Sequence, residues 1–132
     1  TAGQALAVTS PYFRERIKSI PAKIKAIKAA IKHRNFTKLG EIMEADCLNM
    51  HHVMQTQKPK LNYLLPQTLN LMKEVRQWRR EGLESYFTVN TGQNVFVFCE
   101  AKNEKKLLEK LAKLKGVIEV RRDKIGRGAR LI

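Results

Sequence analysis

The spacing of apolar residues changes at about residue 85, and this change constrains the fold more than any other feature. Before it, apolar residues recur every three or four positions, which predicts amphipathic helices. After it, residues 86–89 and 95–99 form two short runs that are apolar nearly throughout, which indicates β-strands with at least part of both faces covered. Residues 90–94 lie between them and have the Asn and Gly content of a tight connection. The sequence therefore predicts helices followed by a hairpin.

Two helices are predicted at the start of the chain. The first covers about residues 10–34, where isoleucines recur at helical spacing between lysines, and Pro21 predicts a kink or a restart within it. The second is predicted to begin at a Thr37 cap and to end at the break formed by residues 58–60. Both have one apolar face, so each is expected to pack on the rest of the domain.

A third helix is predicted to begin at Pro66, which suits a first turn, and to stop at Gly82. Its pattern assigns each side chain to one of two sides. The inward residues are predicted to be Leu69, Met72 and Val75, and the outward ones Lys73, Arg76, Arg79 and Arg80.

After the hairpin, Asn103 is predicted to open a fourth helix that ends at Gly116. Residues 117–120 read as a short strand, and residues 126–132 as a candidate last strand. Helices followed by strands in this order predict an α+β domain, with helices packed on a small, mostly antiparallel sheet.

Composition limits the classes of function. The 132 residues suit one domain, and 26 Lys and Arg against 12 Asp and Glu give a net charge of +14, which favours anionic partners. The chain has neither the roughly 20 apolar residues of a membrane span nor a signal peptide, so no membrane association is expected. Cys47 and Cys99 lie far apart, which favours a reducing, cytoplasmic location. A start at Thr1 suggests a processed product or part of a longer chain.

Several segments, taken in chain order, carry a family resemblance. The most specific reads Tyr-Phe-Thr-Val-Asn-Thr-Gly-Gln-Asn-Val. The segments are residues 9–10, residues 29–31 followed by 35–41, residues 49–51 leading to 59–64, and residues 86–95. Together they resemble the C-terminal domain of the mevalonate diphosphate decarboxylase family, in the GHMP kinase superfamily. The resemblance covers nearly the whole chain and implies a ferredoxin-like α+β domain.

The resemblance also implies a two-domain ATP-dependent enzyme of isoprenoid biosynthesis. Its N-terminal GHMP domain would supply the Gly/Ser-rich loop that binds the phosphates of ATP, together with Mg²⁺. Gly126-x-Gly128 is too short for such a loop and follows no strand-to-helix pattern. The chain alone is therefore not expected to turn over ATP. The implied partners are a phosphorylated mevalonate-type substrate, the N-terminal domain and a possible second copy in a homodimer, and no nucleic acid.

The resemblance places the chemistry at residues 90–94. In the decarboxylases this loop typically reads Asp-Ala-Gly-Pro-Asn, and the Asp lies beside the tertiary hydroxyl of mevalonate. Asn90 takes that position here, and an amide forms hydrogen bonds but is not a base. Gln93 stands in place of Pro, Cys47 where many members have Ser, and Asn62 in place of Ser or Thr. The candidate catalytic residue is Asn90, and the candidate substrate-binding residues are Cys47, Asn49, Met50, His51, Asn62, Thr91, Gly92, Gln93 and Asn94.

These changes leave several functions open. Loss of the carboxylate fits a mevalonate kinase-like paralogue that phosphorylates without decarboxylating, a paralogue that acts on a different anion, a decarboxylase with an altered residue, or a domain with no activity. A different class is a basic module that binds RNA or another polyanion, with Trp78 among arginines as a stacking surface. Such a run is more often a solvated helix face. Residues 94–98 lack the glycines and leading base of an RNA-binding sheet, which predicts that their aromatics lie in the core.

Cys47 and His51 have a spacing that can bind a metal. Two ligands make a poor metal site, so no metal is predicted. An interior cysteine beside a partly buried histidine is expected instead.

Overall fold

The computed structural model describes residues 5–126. Its helices pack on one side and one edge of a two-stranded antiparallel sheet, which confirms the predicted α+β class. The elements in chain order are α1 (Phe13–Lys32), α2 (Phe36–Thr56), α3 (Pro66–Arg80), β1 (Ser85–Val89), β2 (Val95–Cys99) and α4 (Glu104–Ala112). Short 3₁₀ turns, Ala7–Thr9 and Ala101–Asn103, precede α1 and α4. No helix within the described range is long and apolar enough to span a bilayer.

The hairpin is the centre of the domain. In its register, Tyr86 faces Phe98 and Val89 faces Val95. Helices α2 and α3 both pack on β1, whereas α1 packs on α2 and forms an outer layer. The buried apolar cluster consists of Cys47, Leu64, Met72, Val75, Trp78, Leu83, Phe87, Val89, Leu107 and Leu111.

The first two helices differ from the prediction at particular residues. Helix α1 runs without a restart through Pro21, which lies on the exposed side of the helix. Proline has no N–H to donate to the carbonyl one turn earlier, but on this side water can donate to that carbonyl. Helix α2 is capped by Asn35 and not by Thr37. The Asn35 Oδ1 atom accepts a hydrogen bond of 2.8 Å from the backbone N–H of Lys38. Thr37 lies inside the first turn and bonds Glu84 at 2.6 Å.

Helix α3 begins at Pro66 and is followed by Gly82 at φ +90°, as predicted. Two of its side chains differ from the sequence predictions. Leu69 is 50% exposed, so its inward assignment is wrong. Trp78 is 4% exposed and lies in the core, because it extends the buried face of Met72 and Val75 by one turn. The predicted stacking surface around Trp78 is therefore wrong.

The end of the chain also departs from the prediction. Asn103 precedes α4 as expected, but the helix ends at Ala112 and not at Gly116. Residues 117–120 form no strand and are mostly exposed. Within the described range, no strand pairs with the outer edge of β2, so a short apolar run has no partner to hold it extended. The last predicted strand lies, apart from residue 126, outside the described residues.

Both faces of β1 are covered, as predicted, whereas those of β2 are not. Phe96 and Phe98 are 52% and 43% exposed on the outer face of β2, so their assignment to the core is wrong.

Candidate functional site

Along one edge of β1, backbone N–H and C=O groups form hydrogen bonds with side chains and not with a neighbouring strand. Because alternate residues of a strand direct their backbone groups to the same edge, those not bonded to β2 face α2. The Phe87 N–H donates to Glu44 Oε1 at 3.2 Å, and the Val89 N–H donates to Cys47 Sγ at 3.2 Å. The Val89 carbonyl accepts from His51 Nε2 at 2.9 Å. A helix thus protects an edge that would otherwise be open to pairing.

The spacing of these side chains explains why α2 can cover the edge. Positions 44, 47 and 51 lie three and four residues apart, which places them on one face of the helix. One turn earlier the same face carries Gly40, where a Cβ atom would overlap the ring of Tyr86. A residue without a side chain therefore lets the helix approach the strand.

Glu44 is 6% exposed and requires a partner, which α3 supplies. Arg79 donates from Nη1 and Nη2 to the two carboxylate oxygens at 2.8 and 3.0 Å, and from Nη1 to the Ser85 carbonyl at 2.7 Å. Its guanidinium also lies 4.4 Å from the ring centroid of Tyr86. The hydrogen bond to Glu44 raises the pKa of Arg79 above its usual value.

The sequence reading assigned Arg79 to solvent and did not single out Glu44. A glutamate on the inward face of an amphipathic helix was the available signal, because such a charge is rarely buried without a partner.

The predicted catalytic loop begins directly beyond this edge. Asn90 follows Val89, and its side chain is exposed, as are those of Thr91, Gln93 and Asn94. Gly92 has a φ of +95°, a conformation that favours glycine, so the loop turns at this position. The loop is therefore open to solvent on one side and joined to the helix-bonded strand on the other.

Cys47 and His51 lie beneath the loop. They are 3% and 1% exposed, so the interior cysteine is confirmed and the histidine is buried more completely than predicted. A carbonyl oxygen only accepts, so His51 Nε2 carries the hydrogen of its bond to Val89. His51 Nδ1 has no hydrogen-bond partner among the described residues.

Asn49 and Met50 occupy a different part of α2. Asn49 Oδ1 accepts from Arg16 at 2.7 Å and from Lys23 at 3.3 Å, so this side chain is bonded to α1. Met50 is half-buried.

Asn62 lies in the loop after α2. Its Oδ1 atom accepts from the Leu64 N–H and from Gln55 Nε2, both at 3.1 Å. The structure therefore brings Cys47 and His51 next to the loop that starts at Asn90, and bonds Asn49 and Asn62 to other segments.

Arg16 and Lys23 also bind Asp46 between α1 and α2. Arg16 makes two bonds to this carboxylate, of 2.8 and 3.0 Å, and Lys23 makes one of 2.9 Å. Burial alone would raise the pKa of Asp46, but the hydrogen bonds and charges of the two cations outweigh it and lower the pKa.

This ion cluster predicts a stability that depends on pH. Because the folded-state pKa of Asp46 is below its ordinary value of 3.8, the stabilisation is complete above that pH and is lost as the pH falls through the folded-state pKa. Asp46→Asn is expected to remove this contribution, so the difference in Tm between wild type and variant should shrink between about pH 5 and pH 2.5. Thermal unfolding followed by circular dichroism measures it, with the exposed Asp123→Asn as control. A difference that does not change with pH would contradict the assignment.

The described residues offer few other candidate binding sites. Within the described range, no three His, Cys, Asp or Glu side chains lie close enough together to hold a metal ion. The two best-formed surface depressions, one between the end of α3 and α4 and one around Glu84 and Tyr86, do not include residue 90.

A small sheet with helices on its face and edge, and an exposed hairpin loop at one end, defines an α+β domain. The family model described as the mevalonate 5-diphosphate decarboxylase C-terminal domain matches residues 1–127, and the chain belongs to this family. The resemblance read from the sequence is thus confirmed.

Individual relatives agree with this family. The chain is 27% identical over 114 residues to diphosphomevalonate decarboxylase of Candida albicans, covering 86% of this chain and 32% of that protein. It is 29% identical over 99 residues to mevalonate-3-kinase of Picrophilus torridus, covering 75% and 30%. A structure of mevalonate diphosphate decarboxylase from Enterococcus faecalis, solved for mevalonate diphosphate-mediated ATP binding, superposes with a TM-score of 0.83 at 34% identity, covering 87% and 36%. The chain thus spans about a third of the length of these relatives.

Proposed function

We propose that this chain is the substrate-facing domain of an ATP-dependent enzyme that phosphorylates a mevalonate-type substrate without decarboxylating it. The observation that carries the proposal is an exposed Asn90 at the start of a loop that α2 holds in place through Val89. Membership of the family indicates the substrate class. The amide of Asn90 favours phosphorylation without decarboxylation.

The chemistry of residue 90 favours phosphorylation alone. A carboxylate beside the reacting hydroxyl accepts a proton or orients the hydroxyl, whereas an amide only donates and accepts hydrogen bonds. Overall similarity does not separate the two reactions, because the decarboxylase and the 3-kinase are 27% and 29% identical to this chain. We therefore base the assignment on Asn90, with Thr91, Gly92, Gln93 and Asn94 completing the loop around the substrate.

We assign ATP and Mg²⁺ to the part of the enzyme outside this chain. The described residues contain no cluster of metal ligands, and the sequence has no glycine-rich phosphate loop, so the groups present here do not fit either ligand. The named subject of the Enterococcus faecalis structure is mevalonate diphosphate-mediated ATP binding, which supports the presence of ATP in the whole enzyme.

Four further proposals concern the whole enzyme. The site is completed by an ATP-binding domain, which agrees with the position of the loop outside the best-formed depressions of this chain. The exposed pair Phe96 and Phe98 is a suitable apolar surface for such a domain. We also retain the homodimer and the cytoplasmic location as proposals.

Binding of a polyanion such as RNA is the second candidate. Five cations on the exposed side of α1 make no ion pair among the described residues, and Phe96 and Phe98 add exposed aromatic rings. Trp78, by contrast, is in the core and offers no stacking surface. The cations are Arg14, Lys18, Lys25, Lys28 and Lys32. Because a solvated helix face explains the cations equally well, we rank this function second.

Asn90→Asp in the full-length enzyme tests the leading proposal. A positioned acid or base contributes about 10²–10⁴-fold to a rate, so restoring the carboxylate is expected to raise carbon dioxide release at least about 10²-fold. Release from mevalonate phosphates is measured alongside ADP formation. Asn94→Asp is the matched control, because it places the same charge at another exposed position of the loop.

Three outcomes would contradict the proposal. Wild-type enzyme that releases one carbon dioxide per ADP would show that Asn90 supports decarboxylation. Enzyme that consumes ATP with no form of mevalonate would rule out the substrate class. Equal gains from Asn90→Asp and Asn94→Asp would mean that the position of the carboxylate does not matter.

A further inference from the structure

The peptide bond between Val89 and Asn90 is held from the Val89 side by two buried side chains. His51 Nε2 donates to the Val89 carbonyl at 2.9 Å, and Cys47 Sγ lies 3.4 Å from the same oxygen. The Val89 N–H in turn donates to Cys47 Sγ at 3.2 Å. Both backbone groups that Val89 directs away from β2 therefore have partners on α2.

The Val89 carbonyl and the Asn90 N–H belong to one planar peptide unit. A hydrogen bond to that carbonyl therefore fixes the orientation of the unit and, with it, the direction in which the chain enters Asn90. The His51 ring is suited to this because it is 1% exposed and lies within a 21-residue helix, five residues before the helix ends at Thr56. A partner on a rigid helix holds the first residue of the loop more closely than a partner on a flexible loop would.

We propose that His51 and Cys47 are positioning residues for the reaction, acting through the peptide unit that leads into Asn90. This inference rests on the proposed function. It adds an explanation of how buried side chains behind the loop hold Asn90 in position. Sequence reasoning placed both residues among those that bind the substrate. Their burial instead assigns them to the backbone behind the loop, with Asn90 on its exposed side.

The test compares variants of the full-length enzyme. His51→Ala removes the donor to the Val89 carbonyl, whereas His51→Gln keeps an N–H that can reach it. Cys47→Ala removes the second partner of Val89, and Cys47→Ser keeps a group that both donates and accepts. The matched control is His52→Ala, because His52 is exposed and stacks on Tyr12 with ring centroids 4.3 Å apart.

His51→Ala is expected to lower kcat about 10- to 100-fold, since a small misplacement of a reacting group has effects of that size. KM is expected to stay within about twofold, and His51→Gln to recover most of kcat. The double variant His51→Ala/Asn90→Ala should be no slower than Asn90→Ala alone, because residues that act through one another are not additive. An unchanged kcat in His51→Ala, or full additivity in the double variant, would overturn the proposal. If His51→Ala does not fold, Cys47→Ala replaces it in every comparison.

Hydrogen exchange separates this proposal from the proposed function, because it needs no substrate. Exchange of the amides of residues 89–94 is expected to be about tenfold faster in His51→Ala and unchanged in His52→Ala. Equal exchange in the wild type and His51→Ala would refute the positioning role, whatever the enzyme catalyses. Faster exchange in an enzyme that acts on no mevalonate would support the structural contact and refute the proposed reaction.

Discussion

Arg79→Ala is expected to lower the free energy of unfolding by about 3 kcal/mol, because it removes both hydrogen bonds from a cation to the buried Glu44 carboxylate and leaves only Arg76, whose Nε lies 3.9 Å from Glu44 Oε2. Glu44 is 6% exposed, and Arg79 contacts both of its oxygens. Truncation would also remove the donor to the Ser85 carbonyl. Urea denaturation followed by circular dichroism measures the loss.

Arg80→Ala is the matched control. Arg80 is the next residue of α3, is exposed and bonds only Gln77, so its loss is expected to stay within about 0.5 kcal/mol. Replacing both partners, as in Glu44→Met/Arg79→Leu, should cost less than the sum of the two single replacements, because no charge then remains buried and the remaining loss comes from the Phe87 N–H and the Ser85 carbonyl. A loss below about 1 kcal/mol for Arg79→Ala would show that water reaches Glu44 and that the pair is not needed.

Gly40→Ala is expected to destabilise the domain by about 3 kcal/mol, at the upper end of what overpacking a core does. The added Cβ would overlap the ring of Tyr86, which is 2% exposed. This ring cannot move aside easily, because Phe36 packs on it edge to face at 5.5 Å and Arg79 lies over it. Helix α2 would have to shift, and its bonds to the edge of β1 would lengthen. The unfolding midpoint in urea measures the effect.

Gly126→Ala is the control for Gly40→Ala, since no atom of residues 5–126 lies within 4 Å of a Cβ placed at that glycine. It is expected to be neutral. Tyr86→Leu should partly rescue Gly40→Ala by making room, so the double variant is expected to lose less than the sum of the two single losses. Strict additivity would contradict the proposed overlap.

The sequence predicted the class of fold and most elements from local patterns. The hairpin followed from two apolar runs around a loop rich in Asn and Gly, and α3 followed from Pro66 and Gly82 at its ends. These signals act within a few residues, so they can be read without knowing what the element packs against. Residues 117–120 show the limit, because an extended pattern forms a strand only where a partner strand is available.

Contacts between distant residues could not be read in this way. Periodicity shows which face of α2 points inward, but Glu44 and Phe87 are 43 positions apart in the chain, and no local rule pairs them. Trp78 was misjudged for the opposite reason. Its neighbours in sequence are arginines, whereas its neighbours in space are the apolar residues of the core.

The candidate site came from family resemblance, which gave residue identities without their surroundings. The resemblance identified Asn90 as the candidate residue. Asn90 lies in an exposed loop, where it can contact a ligand. The resemblance did not distinguish Cys47 and His51, which are buried behind the loop, from residues of the loop itself. Burial depends on how α2 lies against β1, and Gly40 sets that approach from outside the candidate set.

The side chains with which α2 covers the edge of β1 also limit how the length of this chain can vary. Glu44, Cys47 and His51 span seven positions, a rise of about 10 Å along the helix, and they bond the alternate residues Phe87 and Val89 of one strand. One residue inserted between 44 and 51 would turn the following part of α2 by about 100° and move at least one of these groups off the strand. Related chains should therefore keep a constant spacing within α2.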